Sequence, residues 1–370
     1  MSSFQVKVVG DFCNIRCTYC RNRDFDQDTC VVMKVGTLEQ VLDFLTSLPQ
    51  KRIRTHWHGG EPLLAGKEFF DHIVRLQKAH PGISWANAVQ TNAILIDDEW
   101  ASFFRRHDFH VGVSVDGSKR THNINRVNRA GSGTFSQVMD GVEVLRRNGV
   151  TLSVICTVTS KTAEYAEEML CGLVDAGFKD IAFNVFYNTA SRTGDDPHAL
   201  TAAQWLSCLI ELFESWLELN DAAVRVRELD GMLAWTRSKT ANLCSYRGLC
   251  HQWFVVDYTG ELYPCERFGR SMCFGRVDSL ASFQELFASP PFLDWKTSIS
   301  TLPRRCQSCG LQPLCHNGCV AHTASDSQGV PLYVYCESRI GFYRYVCSRL
   351  EGKERTDDAT ETGYVNPVAR

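Results

Sequence analysis

The chain has 370 residues, 44% of them hydrophobic, with 42 acidic against 39 basic side chains, which is enough for one large domain plus a smaller one and leaves no basic footprint for a nucleic-acid substrate. No apolar run reaches membrane-spanning length, and Met1-Ser2-Ser3-Phe4-Gln5 lacks the basic and apolar regions of a signal peptide, so a cytoplasmic protein without membrane partners is expected. Seventeen cysteines, odd in number and tightly spaced in a reducing compartment, point to metal or cluster ligation rather than disulfides.

Six apolar runs rich in β-branched residues occupy the first half: Phe4 to Val9, Ile53 to Trp57, Trp85 to Gln90, His110 to Val115, Thr151 to Val158 and Ile181 to Phe186. Helical patterns separate them. Thr37 to Leu48 places Leu38, Val41, Leu42 and Leu45 on one face, and Phe69 to Ala79, Asp98 to His107, Phe135 to Asn148 and Ala163 to Ala176 repeat the pattern. Alternating strands and helices predict an α/β fold of parallel strands with outer helices, closed or partly closed as a barrel, with the site at the C-terminal strand ends. Trp205 to Leu219 and Val224 to Arg237 read as two further helices bridging to the C-terminal part of the chain. From Cys244 the texture changes to cysteines among Gly and Pro turns, so the expected division is 1–235, 236–350 and a charged tail, 351–370, without order.

The polar motifs fall at the strand ends. After the first run comes Cys13-Asn14-Ile15-Arg16-Cys17-Thr18-Tyr19-Cys20, and three thiolates so close can hold three irons of a four-iron cluster, leaving the fourth open to a chelating molecule. A zinc knuckle competes, although zinc sites usually pair C-x2-C with a second pair. After the second run, His58-Gly59-Gly60-Glu61-Pro62 lets backbone approach a ligand with a carboxylate nearby. Gln90-Thr91-Asn92, Ser114-Val115-Asp116-Gly117 and Asn125-Arg126 converge on the same rim, where Arg126 is either a carboxylate clamp or an exposed loop charge.

The C-x3-C-x-aromatic-C signature, with Tyr19 before the third cysteine, resembles the radical S-adenosylmethionine (radical SAM) superfamily. That resemblance implies a partial (β/α)6 barrel and SAM held on the open iron. It assigns SAM contacts to Tyr19, Gly59, Gly60, Glu61, Ser114, Asp116 and Arg126. Downstream, Cys250-x9-Gly260-x4-Cys265 followed by Cys306-x2-Cys309-x5-Cys315-x3-Cys319 and Cys336 resembles the SPASM extension of peptide maturases. The resemblance implies two auxiliary 4Fe–4S clusters, one on Cys244, Cys250, Cys265 and Cys319, the other on Cys306, Cys309, Cys315 and Cys336. Gln252 to Val256 and Glu261 to Tyr263 would form a hairpin beside the first. Zinc in a four-cysteine ribbon competes for each set, and Cys30 and Cys273 have no assigned role.

The chain resembles most anaerobic sulfatase maturases and cyclophane-forming maturases of ribosomal peptides. Both imply a peptide or protein substrate, a one-electron donor such as flavodoxin or ferredoxin, and two-electron oxidation with the auxiliary clusters as electron exit. Arg21-Asn22-Arg23 replaces the Phe-Tyr typical of sulfatase maturases after the third cysteine, and Glu266 stands where they carry an aspartate thought to be the base. A side-chain cross-link of cyclophane type is therefore the preferred product, with formylglycine from Cys or Ser as the alternative and Glu266 as the catalytic base. With the first strand beginning at residue 4, no leader-binding domain is expected ahead of the barrel, so the barrel mouth, the SPASM domain or another protein must recognise the peptide. Anaerobic reconstitution should give three four-iron clusters, about twelve irons, and alanine at Cys13, Cys17 and Cys20 should abolish SAM cleavage while sparing both auxiliary clusters. Zinc in the C-terminal domain would contradict this.

Overall fold

The computed structural model describes residues 2–21, 29–186, 196–240, 243–248, 250–268, 272–325 and 330–357. The first half runs β1 (Ser2–Lys7), α1 (Val35–Thr46), β2 (Arg52–His58), α2 (Lys67–Lys78), β3 (Ser84–Thr91), α3 (Asp98–Arg106), β4 (His110–Ser114), α4 (Lys119–Asn125), α5 (Phe135–Arg147), β5 (Leu152–Val158), α6 (Ala166–Asp175) and β6 (Asp180–Val185). There follow α7 (Ala202–Leu219), β7 (Arg225–Val226), α8 (Arg227–Ser238), α9 (Cys244–Arg247), β8 (Trp253–Val256), β9 (Glu261–Tyr263), β10 (Gly275–Arg276), α10 (Phe283–Ala288) and α11 (Pro290–Ser300). The chain closes with α12 (Arg304–Gln307), α13 (Gln312–Cys315), β11 (Thr323–Ser325), β12 (Pro331–Tyr333) and α14 (Cys336–Asp357). All six expected strands are present. Among the described residues no helix is long and apolar enough to cross a membrane.

Two compact units interleave along the chain. One comprises residues 1–115, 125–154 and 249–301, the other residues 116–124, 155–248 and 302–370, so compaction follows a different line from the change of texture near residue 235. Residues 249–301 join the first unit because β8 adds to β1 in parallel, with Phe4 opposite Phe254 and Val6 opposite Val256. The expected β8–β9 hairpin is antiparallel, pairing Val255 with Tyr263.

In the first unit β1 pairs parallel with β2, β2 with β3 and β3 with β4. α1 buries Leu38, Val41, Leu42 and Leu45, and α2 buries Phe69, Phe70 and Ile73. Phe70 meets Trp100 of α3 edge-on with centroids 5.1 Å apart, and Phe4 meets Phe283 of α10 at 5.3 Å, geometries that add to simple area burial. One polar knot sits within this packing. The Asn87 side-chain oxygen on β3 accepts from Thr55 Oγ1 (2.7 Å) and Trp57 Nε1 (2.9 Å) of β2 and from Gln77 Nε2 (2.9 Å) of α2.

In the second unit β6 pairs parallel with β7. α7 begins with a capping box in which Thr201 and Gln204 satisfy each other's backbone N–H groups, and Phe213 packs edge-on against Phe342 of α14 at 6.0 Å. Two sequence expectations are corrected here. Val224 to Arg237 is not one helix: Arg225–Val226 is drawn into strand pairing opposite Asp180 and Ile181, and α8 starts only at Arg227, tertiary pairing overriding a helical pattern. The terminal stretch expected to lack order from residue 351 is helical to Asp357, because a helix already nucleated is extended at little cost by Glu351, Lys353, Glu354 and Arg355, despite Gly352; residues 358–370 lie outside the described residues.

Asn87→Ala should lower stability by about 1–3 kcal/mol for each buried donor it orphans, since Thr55 and Trp57 are fully buried. Thermal or urea unfolding checks this, and an unchanged midpoint would show the knot to be dispensable.

Candidate active site

The cysteine loop is held by backbone from two directions. Arg16 N–H donates to the Val127 carbonyl (2.8 Å) and Thr18 N–H to the Asn125 carbonyl (2.8 Å), while Thr18 Oγ1 donates to Asn125 Oδ1 at 2.9 Å. On the other side Gly60 N–H donates to the Gly10 carbonyl (2.9 Å) and Glu61 N–H to the Phe12 carbonyl (3.1 Å). Asn92 Nδ2 lies 3.6 Å from Cys13 Sγ and donates to Asn14 Oδ1 at 2.7 Å. Burial first, then the Glu61 carboxylate and the neighbouring Cys17 and Cys20 thiols, push the Cys13 thiol far above its ordinary range. Burial and neighbouring negative charge are costly for bare thiolates, a cost that bound iron offsets; three thiols of this kind suit the ligation of an iron–sulfur cluster by Cys13, Cys17 and Cys20.

The glycines do something the motif alone did not reveal. A Cβ at Gly59, where φ is +145°, would stand 2.5 Å from the Val9 carbonyl oxygen, and one at Gly60 would stand 1.8 Å from that of Phe12. Their close approach is to the chain's own cysteine loop. Glu61 is buried, 1% exposed, and its carboxylate accepts from Thr91 Oγ1 (2.7 Å), Asn92 N (2.9 Å) and Leu63 N (3.1 Å). Burial raises its pKa to about 7, against those hydrogen bonds.

Tyr19 and Arg126 come together, the guanidinium 5.5 Å from the ring centroid. Arg126 is buried, 7% exposed, so it is not an exposed loop charge. Ser114 Oγ accepts from Gln90 Nε2 at 2.9 Å. Asp116 belongs to the second unit; it is fully buried and its Oδ1 accepts from Thr157 N of β5 at 2.8 Å.

Glu266 of the first unit receives a hydrogen bond from Gln5 Nε2 (2.6 Å) and lies 3.8 Å from His58 Nε2. Burial works against its ionisation, but His58, the Gln5 bond and the Arg267 and Lys7 charges outweigh it and hold the carboxylate below its usual range. Burial also lowers the His58 pKa, against the pull of Glu266. The Arg21 guanidinium donates to the Glu266 carbonyl; Asn22, Arg23 and Arg270 lie outside the described residues. In the sequence His58 figures only as part of the motif after the second run, and neither it nor Gln5 carries an assigned role. The available signal was a polar Gln5 between Phe4 and Val6, and it is 6% exposed.

Cys306, Cys309, Cys315 and Cys336 all lie in the second unit. Burial first, then the nearby Cys315, Cys336 and Cys309 thiols, push Cys306 up, so this set too fits a multi-iron group. Of the other set, Cys250 and Cys265 fall in the first unit and Cys244 and Cys319 in the second. Cys30 is exposed, and Cys273 donates weakly to the Gly275 carbonyl at 3.3 Å.

A parallel α/β sheet with three clustered thiols after β1, a Gly-Gly turn after β2 and a cysteine-rich extension defines a radical SAM enzyme with an auxiliary cluster domain. The model of the radical SAM superfamily matches residues 8–171, and that of the SPASM iron-sulfur cluster-binding domain matches residues 248–310. A cysteine-type anaerobic sulfatase-maturating enzyme of Clostridium perfringens is 30% identical over 94% of this chain and 97% of its own length. A serine-type anaerobic sulfatase-maturating enzyme of Klebsiella aerogenes is 29% identical over 86% and 79%. The solved structure of native anSMEcpe with bound AdoMet superposes with a TM-score of 0.85 at 29% identity, covering 95% of this chain and 99% of that one. Streptococcus suis SuiB shares the fold, with a TM-score of 0.61 at 13% identity over 86% and 73%. The chain belongs to the radical SAM superfamily, among members with a SPASM domain, and is homologous to the anaerobic sulfatase-maturating enzymes. Its cofactors are 4Fe–4S clusters and S-adenosylmethionine.

Glu61→Gln should cost about 1–3 kcal/mol, because the new amide turns a donor toward Thr91 or Asn92 and leaves a buried donor unmet. Thermal unfolding checks it, and wild-type stability in Glu61→Gln would show that the carboxylate does not pin the strand end.

Proposed function

We propose that the chain oxidises one residue of a peptide by two electrons, and that the product best supported is formylglycine made from cysteine. The observation that carries this is the end-to-end likeness to a cysteine-type sulfatase maturase, 94% of this chain against 97% of the relative. A solved structure of anSMEcpe with AdoMet and the Cp18Cys peptide is likewise matched over 96% of this chain at a TM-score of 0.84. The cross-link preferred from the sequence therefore becomes the second reading, since the likeness to SuiB at 13% identity speaks for the fold alone.

Bound at Cys13, Cys17 and Cys20, the cluster and SAM supply a 5'-deoxyadenosyl radical that takes a hydrogen atom from carbon. The chain's own groups do the rest. Arg126, buried beside Tyr19, suits the SAM carboxylate as a bidentate donor, and Gly59, Gly60, Glu61 and Ser114 of the same unit shape or support the pocket; Asp116 holds the Thr157 backbone. Glu266 accepts the proton released when the carbon is oxidised, held in place by Gln5 and His58. The hydrogen atom, that proton and one electron account for the two-electron oxidation, and hydrolysis then exchanges sulfur for oxygen. The second reading keeps one specific support: Arg21 occupies the position after the third cysteine and its guanidinium holds the Glu266 carbonyl. The partners of the reaction are the peptide and a one-electron donor such as flavodoxin or ferredoxin.

With dithionite, SAM and candidate peptides, intact mass decides the product. Formylglycine from cysteine shows loss of two hydrogens plus replacement of sulfur by oxygen, whereas a cross-link shows the hydrogen loss alone. Glu266→Gln should still form 5'-deoxyadenosine while product falls about 10²- to 10⁴-fold. Wild-type product formation by this variant would reject Glu266 as the base.

A further inference from the structure

Arg339 is a buried cation, 7% exposed, on the first turn of α14, three residues after Cys336. One guanidinium nitrogen donates to the Ser245 carbonyl at 2.6 Å and lies 3.7 Å from Cys315 Sγ. The other donates to Tyr333 Oη at 3.3 Å. The group is flanked by two aromatic rings, Tyr246 at 4.2 Å and Tyr333 at 4.9 Å from their centroids. Among the described residues no carboxylate lies within ion-pair distance of it. A buried cation is costly without a counter-charge, and the group beside it able to carry negative charge as a cluster ligand is the Cys315 thiol, which in turn lies near Cys306 and Cys336.

The packing around this guanidinium has no slack. Gly318, beside Cys319, has φ +65°, and a Cβ there would stand 2.3 Å from the Tyr333 ring. Gly248 has φ +61°, and its Cβ would stand 2.8 Å from His316, the residue after Cys315. Tyr333 and the Cys315 loop are thus fixed, and Arg339 is tied by one hydrogen bond to the backbone next to Cys244 and by another to a sulfur of the other ligand set.

We infer that Arg339 is a positioning and tuning residue that raises the reduction potential of the auxiliary cluster held by Cys306, Cys309, Cys315 and Cys336. The inference rests on the assignment of these four cysteines to one cluster. Each thiolate-ligated cluster becomes more negative by one charge when it takes one electron, and a fixed cation with an N–H directed at a ligand sulfur stabilises that reduced form.

The test is a dithionite potentiometric titration of the anaerobically reconstituted full chain, followed by EPR, with iron and sulfide assayed alongside. Arg339→Gln should keep wild-type iron and sulfide while one auxiliary signal moves to more negative potential; Arg339→Lys, which keeps charge but loses the fork, should move it less. Unmoved midpoints at wild-type iron content would overturn the inference. If Arg339→Gln loses iron, Arg339→Lys decides: wild-type iron with an unmoved midpoint overturns it, and a negative shift supports it, whereas loss of iron by both variants would assign Arg339 to holding the site together and overturn the tuning role. Cys309→Ala tests the ligand assignment separately. If that variant keeps every signal and all its iron, the assignment is wrong and the inference falls with it; if it loses one signal whose midpoint Arg339→Gln leaves unmoved, the role of Arg339 alone falls.

Discussion

The contact on which the first unit's site depends is backbone against backbone, where the turn after β2 runs along the start of the cysteine loop. Val8 N–H donates to His58 O at 2.8 Å, Gly60 N–H to Gly10 O at 2.9 Å and Glu61 N–H to Phe12 O at 3.1 Å, which continues the β1–β2 ladder beyond both strand ends. At Gly60 there is no space even for a methyl group. Three thiols borne on a loop would otherwise have the freedom of a loop, and the conformational entropy of ordering them would weigh against assembling any cluster. The parallel sheet supplies the rigid edge, and the glycines allow the loop to lie against it.

The two units use the same physical device at their ligand loops. In the first, the buried Glu61 carboxylate holds the Asn92 N–H at the end of β3, and the Asn92 side chain reaches Cys13. In the second, the buried Arg339 guanidinium holds the carbonyl next to Cys244 and reaches Cys315. In each case a charged group, expensive to bury, is satisfied by backbone and lies one contact from a ligand sulfur. The chemistry differs, a carboxyl group near Cys13 and a guanidinium near Cys315.

Much of this was legible in the residues. The β-branched and apolar runs located all six first-half strands because such residues suit a pleated, half-buried surface, as in β2, where buried residues alternate with more exposed ones; α1, α2, α3, α5 and α6 begin and end within a few residues of the periodic patterns, whereas α4 carried no such pattern. The cysteine spacings pointed to candidate ligand sets because ligands on short loops are close in sequence. What the residues did not reveal depends on tertiary approach. Arg225 and Val226 became a strand through pairing with β6, Asp116 spends its carboxylate on the Thr157 backbone of β5, and Gln5 meets Glu266 from 261 positions away. A single sequence carries no trace of which polar groups will meet across such separations, nor that residues after Gly248 will add a strand beside β1.

If the molecule is a radical enzyme acting on peptide carbon, the hydrogen atom it removes must be traceable. A substrate peptide deuterated at the side-chain carbon of its reactive residue, turned over with SAM and dithionite, should transfer one deuterium into the 5'-deoxyadenosine recovered from the reaction. Product formed with no deuterium in 5'-deoxyadenosine, or with all of it left in the peptide, would contradict that chemistry.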